Sequence, residues 1–335
     1  MSTPRLLDVR GVVASYDSAR GIVKAVNAVS FSADRREMVG IVGESGCGKS
    51  ATIRALLGLI RPPGKVVAGE VLLDGQDLLK MTKKEIRQVR GDKIGFVAQN
   101  PFAALNPIYK IHRQFHNVIK AHEGRSSRRS TRKRAVEMLE AVGIPGPERI
   151  LNGYAHELSG GMAQRVVIAL ALILDPELIV ADEPTTALDV TIQRQILDLL
   201  RRKTVDEGRS LLLVTHDLGV VAQYCDRVVV MYAGKVVETG AVSEVFARPA
   251  HPYTRGLLQS VPRRGTKVQT LEGRVPSLID YPPGCAFADR CVFVIDRCRK
   301  EVPELRPAFA DGGSVREVRC HVNEQEVCAD ATVNS

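Results

Sequence analysis

The residues Gly43, Glu44, Ser45, Gly46, Cys47, Gly48, Lys49 and Ser50 follow the apolar run Met38–Val42 and lead into Ala51-Thr52-Ile53-Arg54-Ala55-Leu56-Leu57. Small residues at G-x-x-x-x-G-K-S spacing let successive backbone N–H groups curl toward one anion at a helix N-terminus. From such a loop Lys49 reaches the β- and γ-phosphates of a nucleotide, and Ser50 offers its hydroxyl to Mg²⁺. A ligand-free glycine turn is the alternative. The strand before the loop and the helix after it favour the phosphate cradle.

Four further groups suit the chemistry of a bound nucleotide. The run Leu178-Ile-Val-Ala-Asp182-Glu183-Pro184 ends an apolar strand on two carboxylates. Ligands of parallel sheets bind at strand carboxyl ends, so Asp182 can meet the Mg²⁺ held by Ser50. Glu183 can then orient or deprotonate an attacking water. His216 follows the strand Leu211–Thr215 and suits a γ-phosphate contact, and Gln99 ends a strand of its own, where it can bridge Mg²⁺ or water. An Asp-Glu helix cap and a structural histidine are the plainer readings. Leu158-Ser159-Gly160-Gly161-Met162 opens the helical stretch Ala163–Leu174 and forms a second anion site. One chain has no use for two distant γ-phosphate sites, so the second points to another subunit's nucleotide.

Strands alternating with helices must position these groups. Leu6–Tyr16, Lys24–Ser32 and Gly69–Gly75 read as an antiparallel layer, with Asp17–Gly21 as a turn. Thr82 with Glu85 predicts a capping box on a helix to Arg90, followed by a buried strand Lys93–Ala98 and a loop Asn100–Pro107. From Ile111 to Leu174 the patterns are helical, including Thr131–Val142 and Met162–Leu174. Glu177–Ala181 and Ser210–Val214 return as strands around an amphipathic helix Val190–Leu200, and Arg227–Tyr232 with Lys235–Thr239 forms a hairpin through Ala233-Gly234. The alternation predicts a parallel sheet. Periodicity fades near Pro262, and Arg263–Lys267 reads as a linker.

The chain has 335 residues with 44% hydrophobic content, enough for a sizeable core in one or two domains. No apolar run reaches the roughly 18–20 residues that span a bilayer. The first residues lack the apolar core of a signal peptide, which predicts the cytosol. A net charge of +9 permits nucleic-acid or anionic-membrane contact, but 4% aromatic content without Trp argues against a base-stacking platform. Much of the excess lies in Arg125–Arg134, read as a solvated loop and helix start, with an acidic or membrane-surface partner second. Of seven cysteines, five fall after residue 284, a cluster more in keeping with metal binding than with disulfides in a cytosolic chain. Cys47 reads as the small residue its loop needs.

The ordered set Tyr16, Gly43–Ser50, Gln99, Leu158–Met162, Leu178–Glu183, Ala187-Leu188-Asp189 and His216 resembles the ABC transporter ATPase subunit over residues 5–260. The resemblance implies that Tyr16 stacks on adenine and that Asp189 couples two sites across a dimer. It also implies that Ser159, Gly160 and Gly161 cap ATP bound by a partner, and it extends nucleotide contact along the loop to Ala51. Met162 departs from the family's LSGGQ signature and removes one side-chain hydrogen-bonding option. Glu157–Val166, Asn100–Pro107 and His251-Pro-Tyr-Thr-Arg-Gly-Leu-Leu258 are similar to the oligopeptide and dipeptide importer ATPases, a group that includes nickel importers. That family implies a second ATPase subunit, two transmembrane permease subunits and an extracytoplasmic substrate-binding protein, with no nucleic acid. It implies a peripheral place at the cytoplasmic face of the inner membrane. The Gln99–Pro107 loop and the helical stretch would receive the membrane subunit's coupling helix.

Cys285, Cys291, Cys298 and Cys320 lack the close Cys pairs usual for zinc. They resemble the tail of peptide-importer ATPases and suit a 4Fe-4S cluster, with zinc or unligated thiols as alternatives. Arg290, Arg297 and Arg299 could offset the cluster's charge, or form surface ion pairs; Cys328 reads as a bystander. The fold expected is α/β: a P-loop NTPase of ABC ATPase type with an antiparallel β subdomain, an inserted α-helical subdomain at about 108–174 and a small Cys-rich C-terminal extension. The division expected is a nucleotide-binding domain at 1–260 and the extension at 261–335. The activity expected is hydrolysis of ATP coupled to import, of peptides first and nickel or another solute second. A soluble ABC ATPase acting on nucleic acid is the rival, but neither a second cassette nor a long coiled coil is visible.

Overall fold

The computed structural model describes residues 5–124, 127–186, 188–261, 271–309 and 316–329. Ala187, Arg125 of the basic run and the expected linker 263–267 lie outside the described residues. The chain forms two compact units.

The first unit draws on the chain up to Asp34, on Val39–Leu79 and on Thr215 onward. Its antiparallel sheet places Arg5–Ser18 between Gly21–Asp34 and Gly64–Leu73, with Gln76–Asp77 at the edge. Alternation sends Val9, Val12 and Ala14 inward, while bulges near Gly11 shift the register and twist the strands. In the same unit Val39–Val42, of the strand Met38–Val42, runs parallel to Arg227–Tyr232, which turns back into Lys235–Ala241. Positive φ at Ala233 (45°) and Gly234 (78°) makes that turn, the hand that matches strand twist. Glu317–Val318 then pairs with Lys235–Ala241, and Arg306–Pro307 pairs beyond it. Arg306–Pro307 and Glu317–Val318 are therefore fastened to the hairpin. They bring an apolar cluster of Ala250, Ala308, Val318, Cys320, Val322 and Val327. A buried ion pair, Arg316 to Glu238 at 2.7 Å, closes the same join.

The second unit comprises Arg35–Met38 and Lys80–Val214. Thr82 and Glu85 form the expected capping box, at the start of the helix Lys83–Asp92. The parallel strands Ile94–Val97, Leu178–Asp182 and Ser210–Val214 pair in that order, the last two buried throughout, as their continuous apolar runs require. Between the first two strands come the helices Ile111–Glu123, Arg128–Ala141, Pro147–Asn152 and Gly160–Leu172, with no strand among the described residues. One expectation needs correction. The stretch expected as loop contains a short helix, Pro101–Ala104, because Asn100 Oδ1 caps Phe102 and Ala103 N–H and Pro101 presets the first turn. Among the described residues no helix is long and apolar enough to cross a membrane.

Candidate functional site

Gly43, Gly46 and Gly48 hold φ of 153°, 79° and 102°. A Cβ on Gly43 would stand 2.2 Å from Met231 O, and one on Gly48 2.3 Å from Ala25 O, so both positions require glycine. The loop tightens through Cys47 N–H to Glu44 O at 3.2 Å and opens directly into the helix Lys49–Leu56. Lys49 is almost fully buried, its ammonium donating to Gly43 O at 2.8 Å and Glu44 O at 3.2 Å. Its charge is thereby aimed across the mouth of the loop. Ser50 and Ala51 occupy the first helical turn. Cys47 is fully buried, and burial pushes its thiol up, which leaves it a packing residue rather than a reactive one.

Tyr16 and His216 belong to the same unit as this loop. Tyr16 pairs with Gly64, where an added Cβ would lie 2.5 Å from the Tyr16 ring, so the missing side chain makes room for the aromatic. Thr215 N–H donates to Ile41 O at 3.1 Å, which brings the exposed His216 to the end of the strand that feeds the loop.

The second unit gathers the other expected groups. Asp182 is buried at the end of its strand. Glu183 follows with φ of 45°, its N–H bonded to Val214 O at 2.9 Å. A non-glycine residue in the left-handed region is strained, and strain held in place by packing is typical of functional positions. Gln99 Nε2 donates to Glu183 Oε2 at 3.1 Å, and Thr186 Oγ1 donates to the same oxygen at 2.9 Å. Ser159 caps the helix Gly160–Leu172, accepting from Met162 N–H at 3.3 Å. The small residues behind it permit a close approach: a Cβ on Gly161 would stand 3.0 Å from Ile192 Cγ2. Asp189 caps the helix Val190–Lys203 through Ile192 N–H at 2.9 Å. The structure thus groups Lys49, Ser50, Tyr16 and His216 in one unit, and Gln99, Asp182, Glu183, Ser159 and Asp189 in the other.

The cysteine-bearing tail differs from expectation in two ways. Burial, with the adjacent Cys285, Cys291 and Cys298 adding to it, pushes the Cys320 thiol up to about 12, and burial raises Cys285 and Cys291 as well. Burial thus favours the neutral thiols of Cys285, Cys291 and Cys320. Yet among the described residues no group of three or more His, Cys, Asp or Glu side chains is arranged to hold a metal ion. Their placement here does not form a ligand set for a 4Fe-4S cluster. The arginines divide. Arg297 pairs with Glu301 and Arg299 with Asp289 at the surface, whereas Arg290 is buried and grips Glu44 of the phosphate loop. Sequence reasoning placed Arg290 with the sulfurs. The signal that could have found its partner is Glu44 itself, an acid in a cradle built for anions.

Such a loop, with a strand-end Asp-Glu pair and a serine-glycine helix start, defines an ATPase of ABC type. The profile of the ABC transporter family matches residues 26–186, and that of the oligopeptide/dipeptide transporter C-terminal region matches residues 237–298. The chain belongs to the ABC transporter family, with its ATP-binding proteins of the oligopeptide/dipeptide group. It is 47% identical, over 91% of its length and 93% of the other, to the probable peptide ABC transporter ATP-binding protein y4tR of Sinorhizobium fredii. It is 48% identical to the oligopeptide transport ATP-binding protein OppD of Bacillus subtilis, over 87% of this chain and 82% of that one. It is 44% identical to the dipeptide transport ATP-binding protein DppD of Escherichia coli, over 94% and 96%. Among solved structures, the dimeric post-hydrolysis state of the ATP-binding cassette MJ0796 bound to ADP and Pi superposes with a TM-score of 0.63 and 32% identity, over 70% of this chain and 98% of that one.

Proposed function

We propose that this chain is the ATP-hydrolysing subunit of a membrane importer of peptides, acting as one half of a two-cassette dimer. The observation that carries the reading is the strained Glu183, held by Gln99 and Thr186 at the end of an apolar strand. Names borne by relatives at 44–48% identity support the peptide cargo.

Within this reading Tyr16 stacks on adenine, and the N–H groups of residues 43–51 wrap the phosphates. Lys49 and His216 contact the γ-phosphate. Ser50 of the first unit, and Asp182 and Gln99 of the second, are the residues that would hold Mg²⁺, which would supply positive charge to the phosphates. Glu183 accepts a proton from, or aligns, the attacking water. Ser159, Gly160 and Gly161 of one cassette cap the nucleotide of the other, and Asp189 links the two sites. Placement and electrostatics supply the rate, because phosphoryl transfer asks for little covalent chemistry from the protein.

The proposed architecture adds a helical subdomain at about 108–174 and a cysteine-bearing extension at 261–335. The coupling helices of two permease subunits dock on the Gln99–Pro107 stretch and the neighbouring helices, with a substrate-binding protein outside and the cassettes at the inner membrane's cytoplasmic face. A 4Fe-4S cluster on Cys285, Cys291, Cys298 and Cys320 is not part of this reading, because among the described residues no such group of side chains is arranged to hold a metal ion. Iron and sulfide analysis of anaerobically purified protein tests it. The transport reading is tested by reconstituting the chain with its membrane subunits: peptide uptake that requires ATP supports it, and ATPase activity stimulated by DNA or RNA in place of peptide overturns it.

A further inference from the structure

The second residue of the phosphate loop is held, on backbone and side chain alike, by residues far along the chain. Glu44 N–H donates to Tyr253 Oη at 2.9 Å. Arg290 Nη1 donates to Glu44 Oε2 at 2.7 Å and Nη2 to Oε1 at 3.0 Å, a two-pronged grip on the carboxylate. Its remaining donors are also engaged: Nε with Glu272 O at 2.8 Å, Nη2 with Leu271 O at 3.3 Å and Nη1 with Tyr232 Oη at 3.3 Å. The guanidinium lies over the rings of Tyr232 and Phe287, 5.7 and 5.8 Å from their centres. Tyr232, Tyr253 and Phe287 pack on one another with centroid separations of 4.6–5.5 Å. The Arg290 side chain is 5% exposed and that of Glu44 28%. Exposed ion pairs are weakened by solvent and side-chain entropy; this one is fixed by packing and by five hydrogen bonds from the guanidinium.

The pair has a direct bearing on phosphate binding. A free carboxylate in a triphosphate cradle repels its ligand, and Lys49 already bonds to the Glu44 carbonyl beside it. We propose that Arg290 is a positioning residue for the nucleotide reaction: it neutralises Glu44 and fixes that turn of the loop, and so ties ATP affinity to the segment bearing Cys285, Cys291 and Cys298. The grip acts through Glu44, since Arg290 spends its donors on protein groups. By reciprocity, nucleotide in the loop stabilises the segment that carries Arg290. The inference rests on the reading of the loop as an ATP site.

The test is equilibrium binding of MgATP, MgADP and AMP to the full-length chain, by calorimetry, with steady-state ATPase alongside. Arg290→Ala should weaken MgATP binding about tenfold and AMP binding less, since the repulsion grows with phosphate charge. KM for MgATP should rise while kcat at saturation changes less. In a Glu44→Gln background the same Arg290→Ala change should cost under about twofold, because no charge is left to offset. Arg290→Lys, which keeps the charge and loses the fork, should fall between. Should Arg290→Ala fail to fold, Arg290→Gln and Arg290→Lys carry the same comparison. Equal MgATP binding by wild type and the Arg290 variants overturns the inference. An equal loss in both Glu44 backgrounds also overturns it, since that is the mark of a purely architectural role. Failure of the wild-type chain to bind MgATP at all sinks the ATP-site reading, and this inference with it.

Discussion

Gln99 and Glu183 are joined by a hydrogen bond of 3.1 Å, from Nε2 to Oε2. Thr186 Oγ1 shares the same acceptor oxygen at 2.9 Å. One carboxylate oxygen is thereby fixed by two neutral donors, which orient the group. Gln99→Ala removes one of the two. We expect kcat for ATP hydrolysis to fall about tenfold, less than the roughly 10²–10⁴-fold that a general acid or base itself supplies, with MgATP affinity less affected. Steady-state kinetics with a parallel binding measurement checks this, and an unchanged kcat contradicts it.

Ser159 has two separable duties in this account. As the cap of the helix Gly160–Leu172 its hydroxyl accepts Met162 N–H. In the proposed dimer it would also contact a partner's nucleotide, as the first residue of the second anion site. Ser159→Ala should cost about 0.5–2 kcal/mol of stability for the lost cap. Ser159→Asn, an equally good cap, should recover the stability but not the ATPase rate of the assembled dimer. Chemical denaturation and ATPase assays on both variants separate the duties; full activity in Ser159→Asn would leave only the cap.

His251 gives the fold a predictable pH response. It is fully buried, and its Nδ1 accepts Tyr253 N–H at 3.0 Å, which requires the neutral ring. Burial holds its pKa down to about 3. The unfolded chain, with histidine near 6.5, therefore takes up the proton first. The stability this contributes is complete above pH 6.5 or so and is lost as pH falls from there toward 3, by up to about 1.4 kcal/mol per pH unit. His251 caps the helix Pro252–Gln259, and the thermal midpoint of the wild type should drop more between about pH 7 and pH 5 than that of His251→Asn, whose side chain caps that helix without titrating. Parallel curves for the two proteins would remove His251 as the source.

Much of the site was legible because phosphate chemistry imposes local patterns. Gly43, Gly46 and Gly48 fix a backbone, and Thr82 with Glu85 marks a helix start within four residues of chain. The strands at Leu178–Asp182 and Ser210–Val214 are continuous apolar runs, which is what burial on both faces demands. What local pattern hides is partnership across long stretches of chain. Arg290 and Glu44 stand 246 positions apart, and nothing near either names the other. The Glu183 strain was equally hidden, since a backbone angle leaves no mark on composition. Asn100–Pro107 misled for the opposite reason: Asn and Pro signal loops, yet they are also the cap and first residue of a one-turn helix.

In the proposed reaction Glu183 acts on water at the terminal phosphate while the loop, and not Glu183, binds the nucleotide. The most direct measurement is MgATP binding, turnover and oligomeric state of Glu183→Gln beside wild type, with the assembled transporter. This variant should bind MgATP about as tightly as wild type, accumulate as a closed dimer and hydrolyse at least about a hundredfold more slowly. Steady-state hydrolysis close to the wild-type rate would contradict it.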